Sequence, residues 1–96
     1  MNVKISESAY RDLVDGFNFY ESQEVVLGDY FQDSLFSDID SLMLYAGVHS
    51  VCYGKYRCLS KRFPYFIYYT ICDYTVVVTA VLDCRRNPEW TKNKLK

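Results

Sequence analysis

The chain has little of what most small functional modules depend on. Its 96 residues hold one histidine, one tryptophan, two prolines and four glycines. So few glycines and prolines leave no low-complexity linker, and no stretch repeats, so one compact domain over 1–96 is expected, with a short polar tail over 88–96. A lone His49 in "GVHSV" has no partner spaced for acid–base work and reads as structural. The four cysteines, Cys52, Cys58, Cys72 and Cys84, form no paired C-x-x-C motif, so no metal site is expected. They read as buried structural thiols, small hydrophobes in apolar sequence. No cofactor is expected either.

Long hydrophobic runs are also missing. The longest, Phe63 to Cys72, contains a proline and is too short to cross a bilayer. The opening "MNVKISESAY" lacks an apolar h-region, so neither export nor a membrane partner is expected and the cytoplasm is the expected compartment.

Charge of one sign is scarce in each half. Residues 1–54 carry two cations against nine acids, and residues 55–96 carry nine cations against three acids, giving −7 and +6 behind a net charge of −1. Such a division implies an electrically two-sided surface, with a polyanionic or acidic partner for the basic half.

Half of the chain is apolar, and its periodicity changes once along the sequence. Val3 and Ile5 mark a short opening strand, after which Ser6 can cap a helix. Ala9, Leu13, Phe17 and Tyr20 recur at helical spacing over about Glu7 to Glu21. Leu27, Phe31, Leu35, Ile39 and Leu42 form a second stripe, with Gly47 as its stop. The two helices are expected to pair as a hairpin whose apolar stripes face the core.

From Val51 onward β-branched and aromatic residues dominate. Val51 to Ser60, bent near Gly54, Tyr65 to Cys72 and Thr75 to Asp83 read as strands, with a tight turn at Asp73–Tyr74. Tyr65 to Cys72 is apolar on both faces and should be central. The predicted fold is α+β, in the order β-α-α-β-β-β, with an antiparallel sheet covered on one face by the helical hairpin. The other face is left for a partner. Arg57, the Lys61–Arg62 pair and the Arg85–Arg86 pair can converge if their strands are neighbours, and guanidinium groups suit phosphates or carboxylates.

The runs "LSKRFPYFIYYTI" and "VVVTAVLDCRRNPEW", preceded by a helical hairpin containing "AYRDL" and "FYESQ", resemble the RelE/ParE superfamily of bacterial toxin–antitoxin toxins. The "KRFPYFIYY" and "RRNP" segments are its more specific parts, and the resemblance spans Val3 to Trp90. It implies a small cytoplasmic toxin of a type II system, plasmid-stabilising in kind, that inhibits growth and is neutralised by a cognate antitoxin. RelE-like members cleave messenger RNA on the ribosome. That reading would place Arg57, Lys61 and Arg85 as catalytic cations that neutralise the phosphorane charge.

The RelE-like pattern often has an arginine on the central strand where this chain has Phe66, and Trp90 lies roughly where a catalytic tyrosine would be sought. An indole donates N–H but has no titratable hydroxyl. The pI near 5.7 also contrasts with the basicity expected of a ribosomal RNA binder. ParE-like members act by binding DNA gyrase, and the resemblance implies that mode first, with the ribosome-dependent endoribonuclease as the alternative. The expected antitoxin- or target-binding residues are Arg57, Lys61, Arg62, Arg85, Arg86 and Trp90.

Overall fold

The computed structural model describes residues Met1–Lys96. Strand β1 (Asn2–Ile5) leads into α1 (Glu7–Gln23), α2 (Leu27–Asp40) and a single turn α3 (Leu42–Tyr45). Strands β2 (Ser50–Cys52), β3 (Lys55–Leu59), β4 (Tyr65–Cys72) and β5 (Thr75–Asp83) follow, and α4 (Pro88–Lys94) closes the chain. They form one five-stranded sheet in the order β1-β5-β4-β3-β2.

The architecture is α+β as predicted, with two corrections. The sheet is mixed, because β1 runs parallel to β5 while every other pair is antiparallel. No hairpin joins β1 to β5, which follow one another only through the helices and the other strands, so the two need not run antiparallel. The expected strand Val51 to Ser60 is two strands, folded back at Tyr53 and Gly54 with φ of 55° and 77°. This left-handed pair suits the twist of a two-residue hairpin. The short polar tail, whose conformation the sequence left open, forms a helix over Pro88–Lys94: Pro88 supplies a ready φ and the Asn87 side chain accepts the Trp90 amide at 2.8 Å.

The helical layer is built as its sequence implies, with one device that the sequence does not advertise. Ser6 caps α1 by accepting the Ala9 amide. Val26, ahead of α2, has φ of 75° and contributes no side-chain cap. Glu21 replaces that cap from the preceding helix: its two carboxylate oxygens accept the amides of Gly28 at 2.9 Å and Val26 at 3.0 Å. The first-turn donors of α2 are thus satisfied by a residue of its partner.

The main core lies between helices and sheet, around Ala9, Leu13, Phe31, Leu35, Ile39, Ile67, Tyr69, Val76 and Val78. A β-bulge sets its composition. Tyr69 faces Val78 and Tyr68 faces Ala80, so Thr79 is an extra residue on β5, and its hydroxyl donates to the Tyr68 carbonyl. The shift puts Val81 toward the helices and leaves Ala80 and Leu82 on the opposite face.

That opposite face is not wholly free, which is a further departure from the sequence expectation. Tyr68, Ala80 and Leu82 form a second buried cluster under Trp90 and Leu95 of the C-terminal segment. The thiols also differ from expectation. Cys58 is buried and Cys52 half-buried, but Cys72 and Cys84 are exposed because both stand at strand ends, where alternation no longer buries a side chain.

Candidate functional site

β3 directs Arg57 to the face away from the helices, in register with Ser50 on β2 and Tyr68 on β4. Its guanidinium carbon lies 4.3 Å from the centroid of the Phe66 ring, and Nη1 lies 3.5 Å from the Cys52 sulfur. Burial raises the Tyr68 phenol above its ordinary pKa, with the adjacent Arg57 pulling it down. Arg57 makes no salt bridge. A charge resting on an aromatic face, with no carboxylate to neutralise it, keeps its outward edge available to an anion.

The adjacent arginines at the end of β5 point to different neighbourhoods. Arg86 stacks over the Trp90 ring, its guanidinium carbon 4.6 Å from the centroid, and Lys94 approaches the same ring at 5.8 Å. Trp90 covers the Tyr68–Leu82 cluster, while Arg86 lines a cleft that also takes in Asp12, Asp15 and Phe19 of α1, so Arg86 stands at the edge of the sheet, between that outer face and the helical layer. Arg85 turns the other way. It grips Asp83 through Nε at 3.0 Å and Nη2 at 2.8 Å, and Nη2 reaches the Tyr20 hydroxyl of α1 at 3.4 Å.

The fork holds the Asp83 carboxyl below its usual range and raises Arg85 further. Beneath it burial pushes the Tyr65 phenol up to about 12. Arg85 is therefore a neutralised cation, whereas Arg57 and Arg86 are not.

Lys61 and Arg62 stand exposed in the loop between β3 and β4. Asp38 of α2, itself buried, anchors this loop by accepting the Ser60 hydroxyl at 2.6 Å and the Lys61 amide at 3.2 Å. The side chains of Lys61 and Arg62 make no ion pair.

The five cations that the sequence suggested could converge thus divide into Arg57 on the outer sheet face, Arg86 on Trp90 at the sheet edge, the Lys61–Arg62 loop, and Arg85 paired with Asp83. Adjacent numbering concealed the division of Arg85 from Arg86: both lie in the turn that follows β5, which ends at Asp83, and that turn sends their side chains to different neighbours.

Sequence reasoning missed Asp12. It lies on α1, is buried, and accepts the Val81 amide at 3.0 Å. The parallel partner β1 ends opposite Val78, so this later amide of β5 has no strand beside it and Asp12 replaces one. Burial raises the Asp12 carboxyl above its ordinary pKa, against the Val81 amide and the Lys94 ammonium at 3.7 Å, which lower it. The Lys94 contact ties α4 to α1 beside a cleft of about 160 Å³ bordered by Asp15, Phe19, Arg86 and Trp90.

His49 is occupied structurally: its Nδ1 lies 2.5 Å from the Tyr69 hydroxyl, which also accepts the Gly47 amide. With that amide filling one lone pair, the tyrosine is placed to donate to the imidazole. Around Arg57 the guanidinium presents donors beside the Phe66 ring and the Cys52 sulfur, with no salt-bridged carboxylate. Such a face is equipped to hold an anionic group.

No protein-family model matches the chain. No curated protein matches it either. Among solved structures, the chain is similar to one described as the chromosomal ParDE TA system from P. aeruginosa, with a TM-score of 0.77 over 84% of this chain and 92% of that chain, at 15% identity. The likeness shows that the chain shares the fold of that structure.

Proposed function

We propose that the chain is the toxin of a type II toxin–antitoxin pair, ParE-like in mode, which inhibits growth in the cytoplasm by binding a cellular target such as DNA gyrase and is silenced by a cognate antitoxin. The observation that carries this reading is the state of its cations. Arg85, the residue best matched to a RelE-like catalytic arginine, is held along its Nε–Nη2 edge by the two carboxylate oxygens of Asp83. Phe66, at the central-strand position where an arginine is often found, serves as a platform for Arg57. Charge neutralisation at a cleaving phosphate calls for convergent free cations and a proton acceptor. Arg57 and Arg86 instead offer separate anchoring points, and Trp90 of α4 adds a large amphipathic surface beside Arg86.

In this reading Arg57, Lys61, Arg62 and Arg86 meet acidic side chains of the antitoxin, Trp90 packs against its backbone, and Arg85 fixes the end of β5. The similar structure from P. aeruginosa is that of a ParDE system, which supports a protein partner for this fold. The test is controlled expression of the chain alone, with purified protein added to a gyrase supercoiling assay and messenger 5′ ends mapped after induction. Growth arrest with lost supercoiling and unchanged 5′ ends is expected. Ribosome-dependent cuts without gyrase inhibition would replace this reading with the endoribonuclease one, and absence of any growth effect would remove the toxin reading.

A further inference from the structure

The helical layer carries an apolar groove that the fold does not fill. Tyr10, Val14 and Phe17 of α1 face Gln32 and Phe36 of α2 across a space of about 110 Å³. Tyr10 is 57% exposed and Val14 44%, although the inward stripe of both helices already supplies the core. An ordinary solvated helix face is polar at such positions, and adjoining apolar residues on two neighbouring helices mark a contact surface.

Charge says what would cover it. Asp29, Asp33 and Asp40 are exposed and stand three or four positions from Gln32 or Phe36, so they line the α2 side of the groove. Arg11 is the single cation on either helix, and Glu7 already holds its guanidinium. The acids there make no salt bridge within the chain. A second copy docked by two-fold symmetry would set these acids against their own counterparts, and nucleic acid would meet the same repulsion.

We infer that this groove receives a basic amphipathic helix of a partner protein, its apolar side chains entering between α1 and α2 and its lysines or arginines meeting Asp29, Asp33 and Asp40. The helix would complete a three-helix layer, with apolar anchors at i, i+3 or i+4, and i+7. This surface is opposite in charge to Arg57 and Arg86, so one partner chain could span both regions only if its own charge changed sign along its length. The inference stands on the groove and its rim alone and does not require the toxin reading.

The probe is a fluorescein-labelled synthetic helix of about 20 residues with leucines at heptad spacing and lysines elsewhere, beside a twin in which glutamate replaces every lysine. Binding is read by anisotropy, and the site by amide shifts of nitrogen-15-labelled protein. The lysine peptide is expected to bind and to shift residues 10–17 and 32–36, and the glutamate twin to bind at least about tenfold more weakly. Val14→Gln should weaken the lysine peptide by a similar factor, and Asp29→Asn with Asp33→Asn should reduce both affinity and its salt dependence.

Equal binding of the twins, shifts confined to the sheet face, no binding, or affinity unchanged in both variants would overturn the inference. So would sedimentation showing self-association that Val14→Gln abolishes, since the occupant would then be a second copy. All three substitutions lie at exposed positions, and unchanged thermal melting separates lost binding from lost folding.

Discussion

The Arg57 guanidinium and the Phe66 ring are one unit: the cation lies 4.3 Å over the ring centroid, on the sheet face opposite the helical hairpin. A half-buried stack of this kind contributes on the order of 0.5–1 kcal/mol. Arg57→Gln and Phe66→Leu, alone and together, form a double-mutant cycle by urea unfolding that should return a coupling of that size. A zero coupling would show two side chains that merely share space. Arg57→Gln should in addition weaken antitoxin or target binding, whereas Phe66→Leu should weaken it less.

Gly16 faces Phe31 across the α1–α2 contact so closely that an added Cβ would come within 2.6 Å of the ring's Cε2. The ring cannot withdraw, because Tyr20, Phe63 and Tyr65 pack around it with centroids 5.0–5.1 Å from its own. Alanine normally improves a helix interior by up to about 1 kcal/mol over glycine. Here Gly16→Ala should instead destabilise by about 1–3 kcal/mol through overpacking. A raised denaturation midpoint would show that the helices can separate at no cost.

Asp12 couples stability to pH with a definite sign. Its carboxyl is held above its ordinary range by burial, so the folded chain retains that proton more tightly than the unfolded chain. Its contribution is therefore most favourable at low pH and is lost as pH rises from the unfolded to the folded pKa. Asp12→Asn should flatten that part of the stability profile, measured by urea unfolding between about pH 4 and 7. Asp12→Ala, which leaves the buried Val81 amide without an acceptor, should cost about 1–3 kcal/mol.

Glu21 gives a test of capping from a neighbouring helix. Glu21→Ala removes the acceptors for the Val26 and Gly28 amides and should cost about 1 kcal/mol, as loss of an N-cap does. Glu21→Gln, which keeps one acceptor oxygen, should cost less. Hydrogen exchange at Val26 and Gly28 reports the same event locally, and protection unchanged in Glu21→Ala would refute it.

The helices and long strands were legible because their signal is periodic and short in range. Leu13, Phe31, Leu35 and Ile39 appear in the core where their spacing put them. The parallel strand β1 was not legible as such, since nothing in Val3 or Ile5 specifies a partner more than 70 residues away, opposite Val76 and Val78. The β2–β3 turn was blurred by Tyr53, an unusual occupant of a left-handed position.

At the site, residue type was readable and direction was not. Arg85 and Arg86 look equivalent in the sequence, but Asp83 lies two residues before the one and Trp90 four residues after the other, and each takes a different arginine. Asp12 left no signal, because a carboxylate on an acidic helix is expected in solvent unless the missing strand beside Val81 is known.

Trp90 is the chain's single tryptophan, and it sits on α4 between two cations and over the outer cluster. Excitation at the red edge of the ultraviolet band, where the ten tyrosines do not absorb, therefore addresses one locus in the unmodified protein. A partner that lifts the C-terminal helix would move the indole into water and redden its emission, while one that settles on top of it would shield it. The chain carries a built-in optical gauge for the face on which its antitoxin is proposed to act, readable without a label.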